Sequence, residues 1–199
     1  MDCEIEKNKV SKKASYEKAF KAAFPYTIPV MTGYLFIGMA FGVMIQEKGY
    51  NFLWAILMSV LCYAGSGQYL AVNFFAPGVS LLQVIFMEFM LNIRHIFYGL
   101  SLLERFAKMG KKRLYMIFSL TDETYSLFFV TKVPKDVEEG QFLFAIALLD
   151  QLYWIIGSAI GALLGSVLPI DTTGIDFAMT ALFVVIMVEQ WMRSEERRV

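Results

Sequence analysis

The chain has 199 residues, of which 57% are hydrophobic and only 18% are charged, and its formal net charge is zero. This composition and a mean hydropathy of +0.54 exclude an ordinary soluble domain and predict an all-α integral membrane protein, a polytopic helical bundle. One histidine and two distant cysteines make a poor metal site and a poor disulfide framework, so no cofactor is expected. The chain has no excess of positive charge that would suggest a nucleic-acid partner.

Residues 1–23 are predicted to form a basic amphipathic tail. This stretch carries six lysines against four acids, so the positive-inside rule places it in the cytoplasm. A transmembrane domain is predicted over residues 24–192, and a charged tail follows at 193–199. The approximate spans are 24–45, 51–75, 81–103, 114–130, 142–164 and 177–192.

The first two spans are marked by prolines and glycines. Pro29 is expected to kink the first, and Gly38 with Gly42 gives it a small-residue face for close helix packing. The second span is apolar except for Gly65-Ser66-Gly67-Gln68 at its centre. Two glycines around a serine disfavour a continuous helix, which predicts a broken or re-entrant segment. A tightly packed glycine crossing is the alternative interpretation.

The apolar run over 81–103 contains the most informative polar residues. At 100° per residue, Glu88, Asn92, His95 and Gly99 form one polar stripe on a helix, because each falls within about 40° of Glu88. Arg94 points about 120° away from that stripe and therefore needs a carboxylate from another helix. Ionisable groups at this depth are usually functional, although they also serve simply to hold helices together.

The loop after this run is basic and is expected in the cytoplasm. It contains Arg105, Lys108, Lys111, Lys112 and Arg113 against Glu104. If 51–75 crossed the membrane fully, the 81–103 helix would deliver this loop to the outside. A re-entrant 51–75 removes the conflict and is the preferred topology.

The later spans carry three more acids. Asp122 and Glu123 are adjacent within 114–130, so they must line a wet cavity or pair with Arg94. Asp150 shares a face of the 142–164 helix with Trp154 and two glycines that are expected to pack closely, whereas Gln151 is expected to make only a helix-to-helix hydrogen bond. Residues 24–75 and 142–192 repeat a glycine-stepped helix followed by a second apolar segment, which suggests an inverted repeat.

Five motifs together resemble the AzlC family, the large subunit of bacterial branched-chain amino acid exporters. The motifs are Tyr63-Ala64-Gly65-Ser66-Gly67-Gln68-Tyr69, Leu91-Asn92-Ile93-Arg94-His95-Ile96-Phe97-Tyr98, Thr121-Asp122-Glu123-Thr124-Tyr125, Asp150-Gln151 with Trp154-Ile155-Ile156-Gly157, and Asp176-Phe177-Ala178-Met179-Thr180-Ala181-Leu182-Phe183. The resemblance implies a multi-pass protein of the bacterial inner membrane that exports leucine, isoleucine and valine, with methionine as a further candidate. It also implies a small hydrophobic AzlD-like partner subunit.

The chain departs from the family pattern in two places. Family members continue past the region of Glu189-Gln190-Trp191 with one or two more hydrophobic segments, so the resemblance predicts that this chain is a truncated form. The family usually has alanine at the position of Gly67, which is a mild change.

The residues suggest how an amino acid would be held. Backbone N–H groups at Gly65, Ser66 and Gly67, beside Gln68, are expected to cap the substrate carboxylate. The substrate ammonium is expected to face Glu88, with Asn92 beside it, or Asp122 or Asp150. His95, Asp122 and Glu123 are candidates for coupling protons to export, and Arg94 is expected to form a structural ion pair with Asp122 or Glu123.

Two other classes of function remain as alternatives. Ala64-Gly65-Ser66-Gly67 is similar to the nucleophile motif of rhomboid proteases, with His95 as the base, although the first glycine is replaced by alanine. A non-transporting assembly or regulatory subunit is the second alternative.

Overall fold

A computed structural model describes residues 2–75 and 78–168 and the separate positions 174, 177, 181, 184 and 188, with side chains from residue 14 onward. Within this part of the chain the regular elements are eight helices. They are α1 (Asp2–Glu47), α2 (Phe52–Leu61), α3 (Ser66–Phe74), α4 (Leu81–Asn92), α5 (Arg94–Ala107), α6 (Lys112–Phe118), α7 (Asp122–Val130) and α8 (Glu139–Val167). The predicted all-α class is confirmed.

Two helices are long and apolar enough to cross a membrane by themselves. These are Ala14–Glu47, which is most of α1, and Glu139–Val167, which is α8. A third span forms if α4 and α5, which are bent by 45° relative to each other, are counted as one. The architecture is therefore that of a helical membrane protein organised around α1 and α8, which pack along each other.

Glycines allow α1 and α8 to approach closely. A Cβ atom added to Gly38 would lie 3.1 Å from the backbone nitrogen of Ser158, and one added to Gly157 would lie 2.8 Å from the carbonyl oxygen of Leu35. Both distances are too short for a side chain to fit without moving a backbone. The predicted role of these glycines in close packing is confirmed, since only glycine leaves the two backbones in contact.

Helix α1 continues without interruption from the basic tail into the first predicted span. It passes through Pro25 and Pro29 without ending. Ala19 and Ala23 are fully buried, and Ser15 Oγ donates a 2.7 Å hydrogen bond to Gln141 Oε1 at the start of α8. The end of the tail nearest the membrane therefore packs into the bundle.

The second predicted span is broken, as expected, between α2 and α3. The break covers 62–65, and Ser66, Gly67 and Gln68 form the first turn of α3. Tyr63 and Gly65 both have positive φ angles, of 40° and 43°. Such angles are incompatible with a continuous right-handed helix. Whether this segment re-enters or crosses the membrane stays a prediction.

The run over 81–103, predicted as one helix, is a bent pair that changes direction at Ile93. Two side chains make local contacts with backbone carbonyl oxygens at the bend. Asn92 Nδ2 donates to the Glu88 carbonyl oxygen at 2.9 Å, and His95 Nδ1 lies 3.1 Å from the Asn92 carbonyl oxygen. Local side-chain bonds of this kind satisfy carbonyl groups that a straight helix would pair internally, and they permit a kink.

A third break divides the run over 114–130, which is predicted as one span. Helix α6 ends at Phe118, and α7 begins after Thr121, whose Oγ1 accepts a 3.3 Å hydrogen bond from the Thr124 amide. Asp122 and Glu123 occupy the first turn of α7, where the helix dipole favours negative charge.

Buried apolar side chains form two clusters along α1 and α8. The first includes Ala19, Ala23, Leu102, Phe106, Met116, Phe128, Phe142 and Ile146, and the second includes Tyr34, Phe41, Ile45, Tyr63, Tyr69, Val72, Trp154 and Ala162. On α8, Asp150 lies between the residues of the two clusters. The fold thus keeps a polar layer between two apolar ones.

Several predictions fall wholly or mainly on residues outside the described part of the chain. They are the turn at Ala76-Pro77, the span at 177–192, the motif that begins at Asp176, the tail at 193–199 and the second half of the suggested repeat.

Candidate functional site

The three helix breaks meet at one cavity between α1 and α8. Its lining residues are Tyr34, Ile37, Tyr63, Ala64, Gly65, Ser66, Arg94, His95, Thr121, Asp122, Glu123 and Trp154. The cavity has a volume of about 40 Å³. A cavity needs roughly 10 to 15 Å³ on this scale for each water, so the space holds roughly three water molecules.

Arg94 ties the three breaks together. Its Nη1 lies 2.7 Å from Asp122 Oδ2 at the start of α7, and its Nη2 donates a 2.9 Å hydrogen bond to Ser66 Oγ at the start of α3. The side chains of Arg94 and Asp122 are 29% and 19% exposed, so this pair is only partly removed from solvent. The structure therefore contains the carboxylate partner that the sequence required for Arg94.

Asp122 has a second partner from α5. Tyr98 donates a 2.8 Å hydrogen bond to Asp122 Oδ1, and its ring stacks on Tyr125 with centroids 4.3 Å apart. Both carboxylate oxygens of Asp122 are thus bonded, one to a cation and one to a phenol. This arrangement fixes the carboxylate at the cavity wall.

Glu123 meets a hydroxyl group of α1. Tyr34 lies 2.8 Å from Glu123 Oε2 and 2.7 Å from Thr121 Oγ1 through the same phenolic oxygen. Tyr34 is only 5% exposed. The two adjacent acids at the start of α7 therefore bond to different helices, Asp122 to α5 and Glu123 to α1.

A buried network holds α2, α3 and α8 together behind the cavity wall. Trp154 Nε1 donates a 2.9 Å hydrogen bond to Gln68 Oε1, and Gln68 Nε2 lies 3.4 Å from Ser59 Oγ. Ser59 in turn donates to Ser158 Oγ at 2.9 Å. Gln68 lies in this network and does not line the cavity, so its contacts fix the position of α3.

Asp150 and Gln151 lie side by side but bond to different helices. Asp150 is fully buried and accepts a 2.8 Å hydrogen bond from Thr124 Oγ1 of α7. Gln151 Nε2 donates to the carbonyl oxygen of Val60, near the end of α2, and its Oε1 accepts from Tyr115 of α6. The expected helix-to-helix role of Gln151 is confirmed.

Glu88 and Asn92 form a separate polar pair outside the cavity. Asn92 Nδ2 donates to Glu88 Oε2 at 3.0 Å, and the Glu88 carboxylate lies against Gly67, where an added Cβ would be 2.9 Å from that oxygen. Glu88 therefore lies against α3, and Asn92 contacts Glu88.

Six of the predicted site residues line the cavity and five do not. Those on the cavity are Gly65, Ser66, Arg94, His95, Asp122 and Glu123, and those elsewhere are Gly67, Gln68, Glu88, Asn92 and Asp150. The roles assigned to all of them stay predictions.

Sequence reasoning missed Tyr34, Tyr63 and Trp154, because aromatic residues within apolar helices are usually part of the hydrophobic core. The left-handed conformation of Tyr63 has no sequence signal of its own.

The amide groups at the α2–α3 break are less available than expected. The Gly67 amide donates to the Ala64 carbonyl oxygen at 2.8 Å, and the Gln68 amide donates to the Gly65 carbonyl oxygen at 3.1 Å. These bonds close the first turn of α3. Of the three amides expected to cap a carboxylate, the Gly67 amide is therefore used within α3. The N-terminal ends of α3, α5 and α7 also direct the positive ends of their dipoles to the cavity, since these helices begin at Ser66, Arg94 and Asp122.

The protease alternative requires a hydrogen bond between serine and histidine. In the described part of the chain, Ser66 Oγ accepts from the Arg94 guanidinium and His95 Nδ1 pairs with the Asn92 carbonyl oxygen. A serine that faces a permanent cation has no base beside it to remove its proton. This geometry does not favour a nucleophilic Ser66.

Similarity to known proteins covers most of the chain. The AzlC protein family profile matches residues 29–168. The chain is 42% identical over 187 residues to the branched-chain amino acid transport protein AzlC of Bacillus subtilis strain 168, which covers 94% of this chain and 74% of that relative. It is 40% identical over 179 residues to an uncharacterized membrane protein of Haemophilus influenzae, which covers 89% of this chain and 73% of that relative.

A more distant relative is the inner membrane protein YgaZ of Escherichia coli K12. It is 26% identical over 176 residues, which cover 85% of this chain and 72% of that relative. No solved structure matches the chain. The profile match and the identity to the Bacillus protein show that the chain belongs to the AzlC family of membrane proteins.

Proposed function

We propose that this protein transports branched-chain amino acids and exports them from the cytoplasm, in exchange for or together with protons. Family membership and the name of the Bacillus relative, a branched-chain amino acid transport protein, support the substrate class. The observation that carries the proposal is the cavity, which combines an Arg94–Asp122 ion pair with apolar and aromatic walls at the point where three helices break.

The ion pair matches the charges of an amino acid. A zwitterion has a carboxylate and an ammonium group a few bonds apart, and burying either without a partner is very costly. Arg94, supported by the N-terminal ends of α3 and α5, is suited to the carboxylate. Asp122 is suited to the ammonium. An amino acid that enters between the two residues breaks the Arg94–Asp122 ion pair. It replaces that pair with one contact between Arg94 and its carboxylate and one between Asp122 and its ammonium group.

The remaining walls suit an aliphatic side chain. Ile37, Trp154 and the rings of Tyr34 and Tyr63 face the cavity, and among the described residues Arg94 is the only arginine or lysine that lines it. Apolar burial contributes roughly 0.8 kcal/mol for each CH₂ group removed from water, which favours leucine, isoleucine and valine over smaller or charged amino acids.

Binding requires the cavity to widen. Space for roughly three waters is too small for a whole branched-chain amino acid, which has more heavy atoms than that. The helix breaks are the natural hinges, since α3, α5 and α7 each begin at the cavity and are linked through the Arg94 side chain. Discontinuous helices around a central site are typical of secondary transporters, where they move to open the site to one side.

Three finer parts of the proposal follow from the family resemblance and from charge. The N-terminus is in the cytoplasm of a bacterial cell, the protein spans the inner membrane, and a small hydrophobic AzlD-like subunit completes the transporter. The lysine-rich start and the basic loop between α5 and α6 support this orientation.

The test is transport of radiolabelled leucine in proteoliposomes, measured with the protein alone and with the small subunit. The proposal expects saturable leucine movement that competes with isoleucine and valine and is lost in Asp122→Asn. The control Asp136→Asn removes a carboxylate from an exposed loop and should leave transport unchanged. Absence of transport in both preparations, or full transport by Asp122→Asn, would contradict the proposal and favour an assembly or regulatory role.

A further inference from the structure

We propose that a chain of hydroxyl groups carries a proton between Glu123 at the cavity and the buried Asp150 on α8, and that Asp150 is the group that holds the transported proton. This inference rests on the proton-coupled transport proposed above. It gives Asp150 a role other than the substrate binding expected from the sequence.

The described residues contain an unbroken set of hydrogen bonds between the two carboxyl groups. Glu123 Oε2 lies 2.8 Å from the Tyr34 hydroxyl, which lies 2.7 Å from Thr121 Oγ1. Thr121 Oγ1 donates to Thr124 Oγ1 at 3.0 Å, and Thr124 Oγ1 donates to Asp150 Oδ2 at 2.8 Å. Every contact is within hydrogen-bond distance, so no water is needed to complete the path.

The two ends of the path have different environments. Glu123, Tyr34 and Thr121 line the cavity, where water and substrate enter, whereas Thr124 and Asp150 are fully buried behind them. A path with one wet end and one dry end is what proton loading requires. It lets the stored proton remain out of contact with solvent while the cavity opens and closes.

The surroundings of Asp150 favour its neutral form. Its Oδ1 has no hydrogen-bond partner among the described residues, and no ion pair there includes it. The titratable groups that interact with it are Glu123 of α7 and the phenols Tyr34, Tyr63, Tyr115 and Tyr153, which come from α1, the α2–α3 break, α6 and α8. An ionised carboxylate is costly in such a setting, and a carboxylic acid is not.

The transfer balances as a relay of single protons. Protonated Glu123 gives its proton to the Tyr34 oxygen, Tyr34 gives its own to Thr121, Thr121 to Thr124, and Thr124 to Asp150 Oδ2. At each step one O–H bond breaks and one forms. Glu123 ends as a carboxylate and Asp150 as a carboxylic acid, while each hydroxyl keeps one hydrogen and rotates to reset the chain. Release of the proton follows the same path in reverse.

Thr124 is the best position to test, because its hydroxyl is the last link before Asp150. Thr124→Val keeps the shape of the side chain and removes the link, and Thr124→Ser keeps the hydroxyl. Thr131→Val is the matched control. Thr131 is also a threonine at α7, but its hydroxyl donates to the Leu127 carbonyl oxygen and takes no part in the path.

The measurement is infrared spectroscopy of the full chain in lipid during exchange from H₂O to D₂O. We expect a carboxylic acid C=O band that disappears in Asp150→Asn and moves in Asp150→Glu. In the unaltered chain and in Thr124→Ser and Thr131→Val this band should shift rapidly on deuteration. In Thr124→Val its shift should be slower by at least about tenfold, which corresponds to a barrier higher by about 1.4 kcal/mol.

Two results would overturn the proposal. One is the absence of any carboxylic acid band assignable to Asp150, which would mean that Asp150 is ionised. The other is equally fast deuteration in Thr124→Val and the unaltered chain. Neither readout depends on transport, so failure of leucine movement in proteoliposomes with a normal infrared result would reject the proposed substrate and keep the relay.

Discussion

The guanidinium of Arg94 lies 2.7 Å from the carboxylate of Asp122, and this contact joins the bend between α4 and α5 to the break between α6 and α7. Through Ser66 the same side chain also reaches the break between α2 and α3. Three interruptions that lie far apart in the chain are thus held by one cation. A change at Arg94 should therefore affect all three.

Arg94→Ala should lower both stability and transport. It leaves Asp122 without its cation, and for a partly exposed pair the cost is roughly 2 kcal/mol, between the values for exposed and fully buried pairs. Thermal unfolding in detergent and leucine transport are the measurements. The double variant Arg94→Ala with Asp122→Ala should lose less stability than the sum of the two single changes. Additive losses, or an Arg94→Ala protein with normal folding and transport, would remove Arg94 from its structural role.

Gly42→Ala should disrupt the contact between α1 and α8. An added methyl group would meet the backbone of Ser158 and of Gly161 on α8, so the two helices must separate, at a cost of about 1 to 3 kcal/mol. Gly33→Ala is the matched control on the same helix, because nothing lies within 4 Å of its Cβ position. We expect a lower unfolding temperature for Gly42→Ala and an unchanged or slightly higher one for Gly33→Ala. Equal behaviour of the two variants would contradict glycine-dependent packing.

Trp154→Phe should loosen α3. The substitution keeps an aromatic ring but removes the N–H group that bonds Gln68 Oε1, and a buried acceptor left without its donor costs about 1 to 3 kcal/mol. Trp54→Phe changes the same residue type at a position that is 49% exposed, and should have little effect. Thermal unfolding compares the two. A loss in Trp54→Phe as large as in Trp154→Phe would show that the hydrogen bond is unimportant.

Ser66→Ala distinguishes a transporter from a serine hydrolase. Transport should persist, with a KM raised by no more than about fivefold, because one hydrogen bond to Arg94 is lost while its ion pair remains. Labelling of the unaltered chain with a fluorophosphonate provides the second readout. Specific modification at Ser66, together with complete loss of activity in Ser66→Ala, would support the protease alternative instead.

The sequence predicted the parts of the fold that depend on glycine. Gly65 marked the first break, because glycine readily adopts a positive φ angle. The contact between α1 and α8 was marked by Gly38, Gly42, Gly157 and Gly161, because residues without side chains let two backbones approach closely. The other two breaks were missed. Neither break has a glycine or proline at it, and the local signals there are the Asn92 side chain, which donates to the Glu88 carbonyl oxygen, and the Thr121 hydroxyl, which accepts from the Thr124 amide.

The bend at Ile93 also interrupts the helix that carries the predicted polar stripe. A helical wheel places Glu88, Asn92 and His95 on one face only if the helix is continuous. The chain bends by 45° between α4 and α5, and His95 lines the cavity while the Glu88 carboxylate lies against Gly67 of α3. Thr121 followed by two acids is a recognisable helix start, and that signal was available in the sequence.

The most direct test of the binding cavity is protection of an introduced cysteine by substrate. Ala64→Cys, in a background in which Cys3 and Cys62 are replaced by serine, places a thiol on the cavity wall, and Ser166→Cys places one at an exposed position near the end of α8. Leucine should slow alkylation of Ala64→Cys in membranes and leave Ser166→Cys unaffected, while aspartate should protect neither. Alkylation of Ala64→Cys at the same rate with saturating leucine as without it would contradict the account.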